Sequence, residues 1–399
     1  MNYLSSLIEK LCPDGVEFTP LWSVTIWDKK FNSVDKKKQP KVISYPYLLA
    51  KDMFALEQEN GDVFLLSTGE QTGWTTEDIA GDFLCEGEVV SIPWGKSRKV
   101  SEVMKYYKGK FVTADNRIAT SYDTTILLNK YLYYWMMSQG EQIDSFYRGS
   151  GLKHPSMKDV LDMTIPLPPL PVQQEIVRIL DSFTELTAEL TAELAAELAA
   201  RRKQYEHYRD ELLTFGDDVP IFSLSKISTN CDRHRKPVTK GNREAGIYPY
   251  YGASGIVDYV SDYIFEGDYL LISEDGANLL ARSTPIAFSI SGKNWVNNHA
   301  HVLRFDTPVL QKYVEIYLNS LDLSKYISGG AQPKLNQDNL NKIPIPIPSN
   351  GVKHIVDVLT HFDALCNDLT SGLPAEIAAR QKQYEYYRDK LLTFKELDT

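Results

Sequence analysis

The 399-residue chain has only four cysteines, Cys12, Cys85, Cys231 and Cys366, with no CxxC spacing and no histidine pair beside them. That pattern argues against a zinc site and offers no disulfide framework, so buried, reduced thiols are expected and no metal ligand is assigned. No apolar run approaches the roughly 18 residues of a spanning helix. The opening MNYLSSLIEKLCPDG lacks the basic flank and unbroken apolar stretch of a secretory leader. A cytoplasmic protein without a membrane partner is the expectation. Catalytic signatures are also missing: no HExxH, no GxSxG, and no glycine-rich strand-to-helix turn followed by an acidic residue. Trp94-Gly95-Lys96-Ser97 resembles the end of a phosphate loop, but Val90 stands where the first glycine belongs. The chain is expected to bind, with no catalytic residue of its own.

What the sequence does contain is a duplication. ARRKQYEHYRDELLTF at 200–215 returns as ARQKQYEYYRDKLLTF at 379–394, identical at 13 of 16 positions. At the same offset EIVRILDSF (Glu175 to Phe183) pairs with HIVDVLTHF (His354 to Phe362), and the IPLP run at Ile165 lies near the IPIP run at Ile343. The implied organisation is a variable domain over 1–165, a helix over 166–215, a second variable domain over 216–343, and a second helix over 344–399. The fold class is α+β, with two mixed α/β domains separated by two long helices. Chain order makes the helices antiparallel and puts the domains in inverted orientation, a symmetry that suits two half-sites on duplex DNA.

Between Val172 and Phe215 there is no glycine or proline, Pro171 is tolerated in a first turn, and Gly216 follows as a stop. Leu186, Leu190, Leu194 and Leu198 repeat every four residues with glutamates beside them. Each step drifts by roughly 40°, so the four leucines are expected to share one broad face of a coiled-coil-like spacer. Ile355, Phe362 and Leu369 at seven-residue spacing supply a partner face. Ser371-Gly372-Leu373-Pro374 predicts a kink near 371–374.

The net charge of −10 is concentrated in the helical repeats, where 166–215 holds nine acidic against five basic residues. The variable domains are locally basic. Lys29, Lys30, Lys36, Lys37, Lys38, Lys96, Arg98 and Lys99 in the first, and Arg233, Arg235, Lys236, Lys240 and Arg243 in the second, are candidate phosphate contacts. Gln71, Trp74, Asn116, Asn297, Asn298 and Gln332 have the chemistry to touch base edges. Tyr205, Tyr208 and Arg209 recur as Tyr384, Tyr387 and Arg388; a tyrosine stripe serves helix packing and subunit docking alike, and its repetition favours docking.

The alternation of variable domain, IPLPPLPVQQEIVRILDSFTELTAELTAEL, KQYEHYRDELLTF, second variable domain, IPIPIP and KQYEYYRDKLLTF resembles the specificity subunit of type I restriction-modification enzymes, in the subgroup with TAEL repeats. The Asn-Pro-Pro-aromatic tetrapeptide with which adenine-N6 methyltransferases hold a flipped base is absent. The resemblance implies two target-recognition domains reading a bipartite double-stranded DNA target, with two methyltransferase subunits docked on the repeated helices. S-adenosylmethionine, ATP and Mg would belong to those subunits and to further translocase/endonuclease subunits, leaving this chain without a cofactor. The alternative class is a two-domain coiled-coil scaffold for other proteins or a stand-alone DNA-binding regulator.

Overall fold

The computed structural model describes every residue except Met1, Lys96, Ser97, Gly330, Ala331, Leu369, Thr370, Asp398 and Thr399, and the side chain of Asn2. The chain divides into two units: Met1–Ala192 together with Ala378–Thr399, and Glu193–Ile377. Among the described residues, no helix is long and apolar enough to cross a membrane.

Unit 1 opens with α1 (Asn2–Leu11) and β1 (Glu17–Pro20). Its six-stranded sheet runs in the order β2-β7-β5-β6-β3-β4, built from β2 (Thr25–Trp27), β3 (Val63–Leu66), β4 (Gly73–Thr75), β5 (Cys85–Pro93), β6 (Lys105–Thr113) and β7 (Asn116–Ser121). Only β3 and β6 pair in parallel. Val89, Val90, Ile92, Phe111, Val112 and Ile118 are buried β-formers that hold the sheet's faces. α2 (Asn129–Ser138) packs Tyr131, Leu132 and Trp135 into the main core. The hairpin β8 (Tyr147–Arg148) and β9 (His154–Pro155) follows, then β10 (Thr164–Leu167), which pairs with β1.

Unit 2 repeats the plan. β11 (Ile221–Ser223) pairs with β20 (Pro344–Pro346), as β1 does with β10. β12 (Thr229–Asn230), β16 (Tyr269–Ser273), β17 (Ala287–Ile290) and β19 (Ala300–Arg304) form a sheet in the order β12-β19-β16-β17. β13 (Ala245–Gly252), β14 (Gly255–Val260), β15 (Phe265–Glu266) and β18 (Lys293–Val296) form another, β14-β13-β18-β15, in which β13 and β18 run parallel. α4 (Pro308–Ser320) starts at Thr307, whose hydroxyl accepts from the Leu310 N–H, with Pro308 in the first turn. The Ile-Pro runs are therefore strands, each paired with the first strand of its own unit.

Register fixes which residues correspond. Ile118 of β7 faces Ser91 of β5, and Val302 of β19 faces Leu271 of β16. EGEVVSIPW (Glu86 to Trp94) is thus the counterpart of EGDYLLISE (Glu266 to Glu274), 180 residues apart. By sequence alone Gly61–Ser67 looks like the echo of Gly267–Ser273, and the strand pairing corrects that.

Three helices carry the long repeats: α3 (Leu170–Leu212), α5 (Val352–Asn367) and α6 (Leu373–Leu391). The second rod is broken between α5 and α6. A Cβ on Gly372 would lie 2.7 Å from the Ala364 and Asp368 carbonyl oxygens, so the turn needs glycine there. Within unit 1, Phe183 meets Tyr387 with ring centroids 6.2 Å apart, the Thr184 and Tyr384 hydroxyls are 2.9 Å apart, and Leu391, Leu392 and Phe394 join the core of Ile176 and Leu180. Within unit 2, Phe362 meets Tyr208 at 5.5 Å, and Leu212, Leu213 and Phe215 join the core of Ile355 and Leu359. Each unit thus takes its KQY-motif from the other copy of the repeat.

The leucine stripe behaves differently from the expected broad face. Leu186 is 61% exposed, while Leu190, Leu194 and Leu198 are half-buried. Burial along α3 recurs every seven residues, at Thr187, Leu194 and Arg201 and at Thr191, Leu198, Tyr205 and Leu212. A four-residue repeat rotates off any straight seam: Leu194 and Leu198 fall on the seven-residue series, Leu190 is half-buried off it, and Leu186 is left exposed. Ile355 is buried and Phe362 half-buried; Leu369 lies outside the described residues.

Candidate nucleic-acid interface

The candidate cations fall into two groups. Lys30, Lys36, Lys37, Lys99, Arg233, Lys236 and Lys240 are exposed and form no ion pair among the described residues. Lys36 and Lys37 project from a short 3-10 turn capped by Asp35, whose carboxylate accepts the Lys37 N–H at 2.9 Å. The others are engaged. Lys29 pairs with Asp115 and lies 3.7 Å from the Tyr47 ring centre; Lys38 pairs with Asp162; Arg98 reaches Glu70 at 2.5 Å. Arg243 is held by Asp258 at 3.0 Å and stacks on Tyr250 at 4.4 Å. Arg235, with 14% of its side chain exposed, donates to Glu274 at 2.5 Å and to the Ala300 carbonyl at 2.7 Å. Moving it to a phosphate would strand the buried Glu274 and Asp232 carboxylates, so Arg235 serves the fold, a role that residue type alone does not reveal. Lys96 lies outside the described residues.

The amides divide in the same way. Asn116 is buried and donates to the Leu66 carbonyl at 2.8 Å, and Asn297 accepts the His299 N–H at 2.8 Å. Both satisfy turns. Gln71, Asn298 and Gln332 are exposed, and Trp74 is 44% exposed against Phe64. The loop that carries Gln71 is tied down from within: Lys105 donates to the Ser67, Gly69 and Val103 carbonyls, and burial pushes its ammonium down to about 8.

Behind these loops lies a set of corresponding positions that sequence reading missed. Asp28 follows β2 and accepts the Ile118 N–H at 3.2 Å; Asp232 follows β12 and accepts the Val302 N–H at 2.7 Å. Around Asp28 the neighbours are aromatic and cationic. Arg117 lies 5.7 Å from the Phe31 ring and 5.9 Å from the Trp94 ring and pairs with Asp115 at 3.0 Å, and the His154 ring, tilted by 40°, has its centre 4.0 Å from that of Trp94. Around Asp232 the counterparts are ionic. His301 Nδ1 is 2.6 Å from Asp232 and Nε2 is 2.7 Å from the Leu335 carbonyl. Glu274 takes Arg235 at 2.5 Å and Lys334 at 3.1 Å. Trp94 therefore corresponds to Glu274, Arg117 to His301 and Phe31 to Arg235. His154, opposite Arg148, corresponds to Lys334, opposite Ser328.

The electrostatics follow. Burial pushes the Asp28 carboxyl up to about 6, against the Ile118 N–H bond and the charges of Lys29 and Arg117. Burial acts the same way on Asp232, but the His301 hydrogen bond and charge, the Val302 N–H and Arg235 outweigh it and hold the carboxyl below its ordinary value. Glu274 is held low in the same manner, with Arg235 first among the opposing groups. Asp232, Glu274 and His301 are near enough to share a cation, but Arg235 and Lys334 already supply the positive charge. The 180-residue offset between EGEVVSIPW and EGDYLLISE was the signal that could have located this cluster.

The tyrosine stripes lie against helices. Tyr205 is half-buried, Tyr208 is 36% exposed, and Arg388 is 8% exposed with Asp389 at 2.7 Å. Arg209 pairs with Asp210 at 2.7 Å.

Comparison with known proteins gives one consistent picture. The family model of the type I restriction modification DNA specificity domain matches twice, at residues 36–200 and 217–379. The specificity subunit of the Escherichia coli type I restriction enzyme EcoR124I/EcoR124II is 30% identical over 429 aligned residues, covering 100% of this chain and 98% of that one. A Haemophilus influenzae relative is 38% identical over 193 residues, which is 47% of this chain and 50% of its own length. The fold is shared with the S subunit of a type I restriction-modification system from M. genitalium (TM-score 0.50, 17% identity, 95% and 96% coverage). It is shared also with a chain from a type I R-M system solved for its complex assembly (TM-score 0.58, 14% identity, 95% and 98% coverage).

Proposed function

From a chain that belongs to the type I restriction modification DNA specificity family, we propose the following reading: it is the non-catalytic DNA-recognition subunit of a type I complex, in the TAEL-repeat subgroup. Unit 1 reads one half of a bipartite target and unit 2 the other. The observation that carries this reading is the duplicated sheet with differently filled interiors, matched unit by unit by one family model. Lys30, Lys36, Lys37, Lys99, Arg233, Lys236 and Lys240 are the cations free for phosphates. Neutralising Lys36 and Lys37 should weaken binding to all sequences and flatten its salt dependence.

The complex supplies the chemistry. Two methyltransferase subunits bring S-adenosylmethionine, and translocase/endonuclease subunits bring ATP and Mg; the address is the cytoplasm. The exposed parts of the repeated helices are the docking surface, since Tyr205, Tyr208, Tyr384 and Tyr387 also serve the helix pairs. α3 and its partners set the gap between half-sites. Inserting one Thr-Ala-Glu-Leu unit after Leu194 lengthens α3 by roughly 6 Å. The methylated sites mapped in cells carrying the insertion should show a longer gap between unchanged half-sites. Methyl transfer by the purified chain alone would sink the non-catalytic assignment, and an unchanged gap would sink the ruler.

A further inference from the structure

Two exposed apolar side chains lie close together at one end of unit 1, where the β8–β9 hairpin touches the loop after β5. Leu152 is 53% exposed and Trp94 is 38% exposed. Single exposed apolar residues are ordinary, but this pair is braced from several directions. The His154 ring packs at a 40° tilt against Trp94, with centroids 4.0 Å apart, and its Nδ1 lies 3.0 Å from the Trp94 carbonyl oxygen. The Tyr147 hydroxyl donates to the Pro93 carbonyl at 2.6 Å, anchoring the hairpin to the end of β5. A Cβ on Gly95 would lie 2.6 Å from Leu152 Cδ2, so the leucine side chain lies directly against the loop at Gly95. Gly149, at φ +134°, makes the turn.

We propose that Leu152, held against the loop at Gly95 beside Trp94, is an apolar wedge that contacts base-pair edges in the half-site of unit 1, a specificity-determining contact that rests on the DNA-recognition reading above. The occupant is duplex DNA because the tip is flanked by cation. Exposed Lys153 is next in the chain, and exposed Arg148, paired with Asp159 at 3.0 Å, stands across the hairpin. Lysine and arginine position a protein on phosphates without reading sequence, whereas a rigid apolar tip in a groove distinguishes thymine methyls from other base edges. Unit 2 carries Gln332 at the position of Leu152, which predicts a polar reading of its own half-site.

The test uses the chain assembled with its methyltransferase subunits and duplexes carrying the target mapped from methylated sites, with either half-site altered in turn. Leu152→Ala, which removes no core contact, should lose roughly ten- to hundredfold affinity for the target. Its affinity for unrelated duplex and its salt slope should stay unchanged, since no phosphate contact is removed. Leu152→Gln should alter the preference at one or two base pairs of the unit 1 half-site and none in the other half. Unchanged affinity and discrimination in both variants would overturn the wedge. So would failed assembly with DNA discrimination retained, because that places a protein on the tip. A wild-type complex with no sequence preference would instead overturn the recognition reading beneath it.

Discussion

In unit 1, Asp28 is buried near Arg117, which lies against the Phe31 and Trp94 rings and pairs with Asp115; in unit 2, Asp232 is clasped by His301 and Arg235, with Glu274 and Lys334 beyond. The retained part is a hydrogen bond from a strand N–H to the carboxylate that follows the first sheet strand. Everything packed around it has changed chemistry. That bond fixes where β2 lies on β7 and β12 on β19, so the backbone framework survives while the side chains behind the loops become aromatic or ionic. A duplicated recognition domain can therefore diverge at its tips without changing its fold.

The ionic version is the more fragile. His301→Leu removes a fully buried imidazole that bridges Asp232 and the Leu335 carbonyl, and leaves Arg235 as the remaining side-chain partner of that carboxylate. Breaking a buried pair by deleting one partner should destabilise unit 2 by about 3 kcal/mol. Arg117→Leu in unit 1 loses two cation–π contacts and a 3.0 Å ion pair with Asp115, which keeps Lys29 as a partner, and should amount to about 1–2 kcal/mol. Urea unfolding followed by hydrogen exchange resolves the two units; equal losses would erase the distinction drawn between them.

The next effect in size is one of pH, and the two units should respond with opposite sign. Asp28 titrates near 6 in the folded chain against an ordinary 3.8, so the folded state holds the extra proton. Unit 1 should lose stability as pH rises from about 4 to about 6 and stay level above, a loss of roughly 2–3 kcal/mol. Asp28→Asn keeps an acceptor for the Ile118 N–H and should recover that amount at pH 7 with no gain at pH 3.5. Asp232 is held low, so its contribution to unit 2 is present above the ordinary carboxylate value and vanishes as pH falls through the folded one. Five of the six tryptophans, Trp22, Trp27, Trp74, Trp94 and Trp135, lie in unit 1 and report its transition. A wild-type unit 1 transition with no pH dependence between 4 and 6 contradicts the buried-carboxylate account.

These differences were not legible in the sequence for a physical reason. The duplication, the long helix from Pro171 and the break at Gly372 leave periodic or conformational marks that one residue string carries alone. The Asp28 and Asp232 clusters do not, since each gathers residues from a strand end, a neighbouring strand and a hairpin far apart in the chain. Lys29 and Arg235 read as free cations because charge is visible in a sequence and a partner such as Asp115 or Glu274 is not. Leu186 read as spacer because a four-residue repeat looks like a stripe until a real partner selects a seven-residue seam.

The smallest effect sets identical residues in the two places. Tyr205 and Tyr384 occupy the same site in the repeated motif, but the Tyr384 hydroxyl meets Thr184 at 2.9 Å whereas Tyr205 lies half-buried near the Asp363 carboxylate. Thr184 and Asp363 are themselves equivalent in the repeat, so the pair is a hydroxyl contact in one unit and a charge neighbour in the other. Burial and then the Asp363 charge raise the Tyr205 phenol above its ordinary value, which keeps it protonated throughout the neutral range. Tyr384→Phe should destabilise unit 1 by about 0.5–1 kcal/mol, the net worth of one partly exposed hydrogen bond. For a unit of this size that is a fall in Tm of roughly 1–4 °C. Tyr205→Phe removes no such bond and should move unit 2 by less than about 0.5 kcal/mol. The decisive control is a double-mutant cycle. In a Thr184→Val background, Tyr384→Phe should have almost no further effect, because its partner is already gone. A full additional loss in that background would mean that the tyrosine stripe is held by packing alone, and that the exchanged motif makes the same contacts in both units.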